Sequence, residues 1–251
     1  EEDGKLLYDN PAQDEDAGVH QIVNLSFNEG GGDIANAQGA VLNHGDMRAA
    51  GWSGKGKIGY CAELRKEGDF IEIAHSPSLE STATELALDL WAYFDLEKLK
   101  GKHCTLVTKT PGSGFGYGYI LEYSDTADKA RALGFYVAES WRTRGHHVLN
   151  NAIATTGWHH IVATFSATTK EIVLFIDGVK AFSQTSLTQS IAPSTSPLII
   201  GAIARDHKDS TKVMTFLGRI DEVKIWSKAL TARDIQIYYG HMFVKSGLVS
   251  P

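Results

Sequence analysis

The chain has little of what usually gives a protein's chemistry away. It holds 2 cysteines, 6 prolines and 3 methionines among 251 residues. Two cysteines exclude a disulfide framework: Cys61 and Cys104 form either one bridge or two buried thiols, and their strand-like surroundings favour thiols. No Cys-x-x-Cys or Cys/His spacing occurs, which excludes a zinc site of that kind. No run approaches the roughly 18 consecutive apolar residues of a membrane helix. No basic stripe dominates the body, which excludes general nucleic-acid binding. The sequence opens Glu1-Glu2-Asp3, the opposite of a basic signal-peptide n-region, so an exported protein of this sequence would be a mature or trimmed form.

What charge imbalance there is sits at one end. The net charge is −6, and residues 1–16 carry seven acids against Lys5 alone, which is also −6. The remainder is balanced. Residues 1–18 read as an acidic leader or linker from an upstream module, residues 19–240 as one domain and 241–251 as a tail. An apolar content of 43% supports a sizeable core, and all-β sandwiches of this length are often single domains. There is no internal repeat.

Period-two alternation is the main signal. In Glu85–Phe94, Leu86, Leu88, Leu90, Ala92 and Phe94 share one face, with Asp89, Trp91 and Tyr93 on the other. In Phe115–Tyr123, Tyr117, Tyr119, Leu121 and Tyr123 align opposite Gly116 and Gly118. Further strands are expected at Gln21–Phe27, Phe70–Ala74, Cys104–Lys109, Gly134–Glu139, Trp158–Phe165, Ile172–Ile176, Leu198–Ile203 and Leu217–Trp226, with a tight Asp177-Gly178 turn leading into another. Gly145–Thr156 and Ser183–Pro197 read as loops. Thr231 three before Asp234 has capping-box spacing and starts one short C-terminal helix. The pattern predicts an all-β antiparallel sandwich.

Four stretches carry a resemblance: Leu25-Ser-Phe-Asn-Glu-Gly30; Asp69-Phe-Ile-Glu-Ile with Ser76-Pro-Ser-Leu79; Trp158-His-His with Leu174-Phe-Ile-Asp-Gly178; and Phe216-Leu-Gly-Arg-Ile-Asp-Glu-Val-Lys-Ile225 with Ala229-Leu-Thr-Ala-Arg-Asp-Ile235. In this order they resemble the laminin G-like (pentraxin-like) family of the concanavalin A-like lectin and glucanase superfold, over residues 19–240. The resemblance implies a jelly roll and a structural calcium tying the first strand to the last. By motif that calcium would be held by Asn28, Asp221 and backbone oxygen near Gly68. Calcium takes hard oxygen ligands, carbonyls included, although Asn28 stands where the family often has Asp.

Adjacent residues of a strand point to opposite faces. His159 and His160 therefore cannot both ligate one ion, and Trp158 is expected to fill the interior. The ligand surface is expected at Trp141, Arg142, Arg144 and His146, where guanidinium forks suit carboxylates or sulfates, joined by Tyr117 and Tyr119 as sugar platforms. The nearest acid pairs, Glu63/Glu67, Asp69/Glu72 and Glu122/Asp125, do not reproduce the glucanase strand motif of the superfold. The sequence thus points to a secreted or cell-surface carbohydrate-binding or adhesion module, calcium-stabilised, without catalysis, for an acidic polysaccharide. The alternatives are a polysaccharide lyase or hydrolase on the same scaffold and a protein-interaction module; other domains of a larger protein are further expected partners.

Overall fold

The alternation is realised as sixteen strands in a computed structural model that describes residues 20–80, 82–110, 117–140, 142–203 and 214–245. One sheet runs β14 (Val179–Thr185), β13 (Glu171–Ile176), β12 (Gly157–Ser166), β7 (Glu85–Phe94), β16 (Arg219–Trp226), β5 (Cys61–Glu63) and β4 (Gly51–Ser53), with β1 (Gln21–Leu25) also on β16. The other runs β11 (Arg144–Leu149), β10 (Lys129–Ala138), β9 (Gly118–Thr126), β8 (His103–Lys109), β15 (Leu198–Ile200), β6 (Phe70–Ile73), β3 (Gly45–Arg48) and β2 (Ile34–Ala35). All the strand pairs are antiparallel, so the molecule is a β-sandwich.

The inward faces interdigitate. From β7 the core takes Leu86, Leu88, Leu90, Ala92 and Phe94; from β12, Ile161, Ala163 and Phe165; from β9 and β10, Tyr119, Leu121, Tyr123, Leu133, Phe135 and Val137. Phe94 is fully buried and packs on Tyr123 and Phe216, each 5.1 Å away between ring centres. The two thiols are free and buried. Among the described residues no helix is long and apolar enough to cross a membrane.

A second, smaller apolar cluster lies on the outer face of the first sheet. There the closing helix (Ala232–Lys245) sets Ile235 and Tyr238 against Val162, Val173, Phe175 and Trp226. Its start is the expected capping box: the Asp234 N–H donates to Thr231 Oγ1 (3.2 Å) and the Thr231 N–H to Asp234 Oδ2 (2.8 Å). The helix continues past residue 240, the expected domain end. One further helical turn, Leu96–Leu99, is N-capped by Asp95.

Three local expectations are corrected. Gly145–Thr156 is not all loop, because β11 pairs with β10 from Arg144 to Leu149. Its alternation is disguised: before the inward Leu149, the inward positions are Gly145, where a Cβ would meet Ile172 and Ser186, and His147, which lies flat on Phe182. The loop expected from Ser183 begins after Thr185, since β14 continues to there. The strand expected from Phe115 begins at Gly118, with Phe115 and Gly116 outside the described residues.

The two histidines take separate tasks on opposite faces. His160 Nε2 bonds the buried Asp89 at 2.8 Å, while His159 Nδ1 bonds Asp177 at 2.8 Å and the His160 N–H donates to the same carboxylate. Asp177, at positive φ, opens the β13–β14 turn. Its carboxylate raises the His159 pKa. Asp177 is itself held below the usual range, because the bonds from His159 and His160 outweigh the burial that opposes them.

Two outcomes follow from this packing. Phe94→Ala should cost about 3–5 kcal/mol in urea denaturation, as expected when a buried ring leaves a cavity; a loss under 1 kcal/mol, roughly the cost of a surface change, contradicts the placement. A histidine with a raised pKa adds stability that is full below its unfolded value of about 6.5 and is lost as pH rises through the folded value. Asp177→Asn should therefore lower stability more at about pH 5.5 than at about pH 9, and equal losses would contradict the ion pair.

Candidate functional site

The surface expected at residues 141–147 is an edge strand with a turn before it. Arg144 and His146 face outward opposite Ala138 and Tyr136, and Arg142 belongs to the Ser140–Thr143 turn. Trp141 lies outside the described residues. Neither guanidinium has an ion-pair partner among the described residues. His146 stacks on Tyr136 at 3.6 Å and 12°, and burial of the stacked face pushes its pKa down to about 4. It is therefore neutral at physiological pH, leaving the two arginines to carry the charge. Below them, the Tyr136 hydroxyl donates to Glu122, which also bonds His103 at 2.8 Å. Gly134 makes room for this carboxylate, since a Cβ there would lie 2.9 Å from Glu122 Oε1. The tyrosine row divides: Tyr119 is 1% exposed and belongs to the core, while Tyr117 is 39% exposed.

The three residues expected to hold calcium are not all gathered. β16 bulges between Asp221 and Lys224, with Glu222 at φ 49°, where its edge changes partner from β5 to β1. There Asp221 accepts the Ile58 N–H (3.0 Å) and the Glu222 N–H (2.9 Å). Asn28 Oδ1 accepts the Tyr60 N–H at 3.1 Å. Asn28 and Asp221 thus grip one loop, 56–60, so tightly that a Cβ on Gly59 would strike Asn28 Oδ1. Gly68 follows β5, at the strand end away from this loop, and its N–H donates to Thr215. Asp221 is fully buried with no basic partner among the described residues, and burial pushes its pKa up to about 7. Asp221 and Asn28 each hold this loop through its backbone N–H groups; Gly68 does not join them.

The acids considered for hydrolysis are dispersed. Glu67 meets Lys102 and the Thr215 N–H; Asp69 is buried, accepting the Arg65 and Lys66 N–H groups; Glu72 pairs with Arg48; Asp125 accepts the Arg131 N–H. Each is engaged in holding a turn or strand.

A different site emerges from register. Gly51 pairs with Glu63, Glu63 with Arg219, Arg219 with Tyr93 and Tyr93 with Trp158. Directly paired residues share a face, so these five form one cross-strand row on the outer face of the first sheet. Trp158 therefore points outward, not into the interior as expected; the interior is filled by Ile161, Ala163 and Phe165. The Arg219 guanidinium lies 3.9 Å from the Tyr93 ring centre and 5.7 Å from that of Trp158. The two rings meet edge to face at 5.7 Å and 75°. At Gly51 the missing side chain is replaced by the Arg65 guanidinium, 2.8 Å from where a Cβ would stand. Beside the row opens a cleft of about 330 Å³, walled also by Lys55, Asp95 and Lys98.

The neighbouring row, Asp221, Trp91 and His160, is covered. Tyr239 of the closing helix stacks on Trp91 (5.7 Å) and His160 (5.5 Å), and Lys57 sits over Trp91. Sequence reading set Tyr93 and Trp158 each on a face but lacked the register joining β7, β12 and β16. The available signal was Arg219, two residues before Asp221 and hence on the same face.

Comparison with curated proteins finds no match. Solved structures share the fold. The binding domain of Paraclostridial Mosquitocidal Protein 1 superposes with a TM-score of 0.67 at 16% identity, covering 90% of this chain and 53% of that one. The binding domain of botulinum neurotoxin DC in complex with rat synaptotagmin II gives 0.65 at 10%, covering 90% and 52%. The same domain in complex with SialylT gives 0.62 at 9%, again covering 90% and 52%. The chain spans about half the length of these binding domains. A family model, Laminin_G_3, matches residues 65–236, over both sheets, the closing strand and the start of the closing helix. The chain belongs to this family of the concanavalin A-like lectin/glucanase superfamily.

Proposed function

We propose that this chain is a non-catalytic carbohydrate-binding module of a secreted or cell-surface protein, that its glycan is acidic, and that the row from Trp158 to Arg65 is its principal contact. The observation that carries the reading is Arg219: a partly exposed guanidinium lying over Tyr93, with no hydrogen-bond or ion-pair partner among the described residues, at the wall of an open cleft. A guanidinium over an aromatic ring can still donate its N–H groups to an acceptor, and aromatic surface beside it suits sugar rings. Arg142 and Arg144 on the edge of the other sheet offer a second basic contact for a longer chain. The binding domains that share the fold support a binding role. A protein receptor is the second reading, favoured by the relative in complex with synaptotagmin II.

On a glycan array, the intact chain should bind acidic glycans without releasing product, and Tyr93→Ala with Trp158→Ala should lose at least about tenfold in affinity, the scale of removing a desolvated aromatic contact. Depolymerised product, or unchanged binding by the double variant, contradicts the reading.

Calcium belongs to the same proposal as a structural ion, held by Asn28 and Asp221 and countering the buried charge of Asp221. Binding to the folded state alone raises the melting temperature by mass action. Calcium should therefore raise it in the intact chain and not in Asp221→Asn; a chelator without effect on the intact chain contradicts the site.

A further inference from the structure

We infer that the cleft beside Arg219 selects a sugar residue bearing a single carboxylate, and not a sulfated or neutral glycan. This rests on the carbohydrate-binding reading and sharpens it to one chemical group.

The charges of the cleft are unequal in availability. Its walls hold four bases (Lys55, Arg65, Lys98, Arg219) and two acids (Glu63, Asp95). Lys98 is taken by Asp95, 3.7 Å away. Arg65 leans on the Ala49 carbonyl at 3.4 Å and covers the bare backbone of Gly51. Of the two arginines, Arg219 is the one whose guanidinium lies over a ring, 3.9 Å from the Tyr93 centre, which confines it beside the cleft. A planar fork held that way matches a planar carboxylate through two parallel N–H···O bonds; a lysine in its place would supply only a point charge.

The acid left without a partner among the described residues, Glu63, decides against a densely charged ligand. Glu63 stands in the row between the Arg219 position and the Gly51 position that Arg65 covers. It lies beyond ion-pair distance of both guanidiniums, as no such pair occurs among the described residues. A polysulfated chain laid along the cleft would press its charges on Glu63. A sugar with one carboxylate meets Arg219 once and turns a hydroxyl donor to Glu63. A neutral sugar would satisfy Glu63 but cover Arg219 without an anionic acceptor, at the cost of a desolvated charge.

Size agrees with a short glycan segment. About 330 Å³ falls at the lower end of small-molecule sites, which span roughly 300–1,000 Å³. Tyr93 and Leu217 in its wall supply apolar surface for the C–H face of the ring, and the partly exposed Trp158 adjoins the cleft through Tyr93.

The test is calorimetric titration of the intact chain with four probes: a trisaccharide ending in glucuronate or sialic acid, the same compound with its carboxyl reduced to an alcohol, a sulfated oligosaccharide without carboxylates, and an acidic peptide. The carboxylated sugar should bind best, and its reduced form at least about tenfold weaker, as expected for loss of a charge-assisted bidentate contact. Arg219→Lys should lose a similar factor toward the carboxylated probe and little toward the reduced one, with its melting temperature reporting on the fold. The Trp158 indole N–H resonance should shift on binding, which keeps the site identifiable if Arg219→Lys folds poorly. Equal affinity for the carboxylated and reduced probes, or tightest binding of the sulfated one, overturns the inference while the binding module stands. Tightest binding of the peptide overturns the sugar itself, and no binding of any saccharide overturns the module reading as well.

Discussion

The alternation along β7 is the constraint on which the rest depends. This ten-residue strand lies between β12 and β16, and its even-numbered side chains go to the core. Its odd-numbered residues Asp89, Trp91 and Tyr93 are thereby committed to the outer face, one per cross-strand row. A slip of one residue would exchange the two sets, burying a carboxylate among Leu88, Phe165 and Leu174. With the register fixed, each row acquires its own character. Asp89 meets His160, Trp91 meets Tyr239 and Lys57, and Tyr93 meets Arg219. The covered and the open parts of this face are thus consecutive steps along one strand.

The outer face also explains how the molecule accommodates buried polar side chains. Asp89 and His160 are both nearly inaccessible and bond one another at 2.8 Å through His160 Nε2. Removing either partner would strand the other, which is far costlier than exchanging the pair for apolar residues. Asp221 is treated differently: backbone amides, not a basic side chain, approach it. That arrangement ties the 56–60 loop to β16, and Lys55 on the adjoining chain contributes to the cleft wall. Loop position and cleft shape are therefore linked through one bulge.

Much of the architecture was legible because the inward residues are large and regular. Leu86 to Phe94 and Ile161 to Phe165 announce their faces, and the Thr231–Asp234 spacing announces the helix start. The edge strand β11 escaped because two of its inward positions, Gly145 and His147, are not apolar, and Leu149 alone makes no pattern. The direction of Trp158 escaped for a related reason: alternation groups it with His160 but does not say which group faces the core. That is decided by Phe94 and Phe165, whose bulk claims the interior. The contact row was illegible because pairing between β16 and β7 joins residues far apart in sequence, and no local spacing encodes that register.

β1 lies on β16 from Leu25–Val223 to Gln21–Trp226, and β5 continues the same edge at Ile220 and Arg219. Both strands precede residue 65, where the family match begins. So do Glu63, Lys55 and Gly51. The stretch matched by the family model and the set of strands that complete this sheet are consequently different objects. A segment cut at the signature would expose the edge of β16, with its unpaired N–H and carbonyl groups, and would remove one wall of the cleft. What could be transplanted between proteins as a working part is the longer piece, with its opening strands attached.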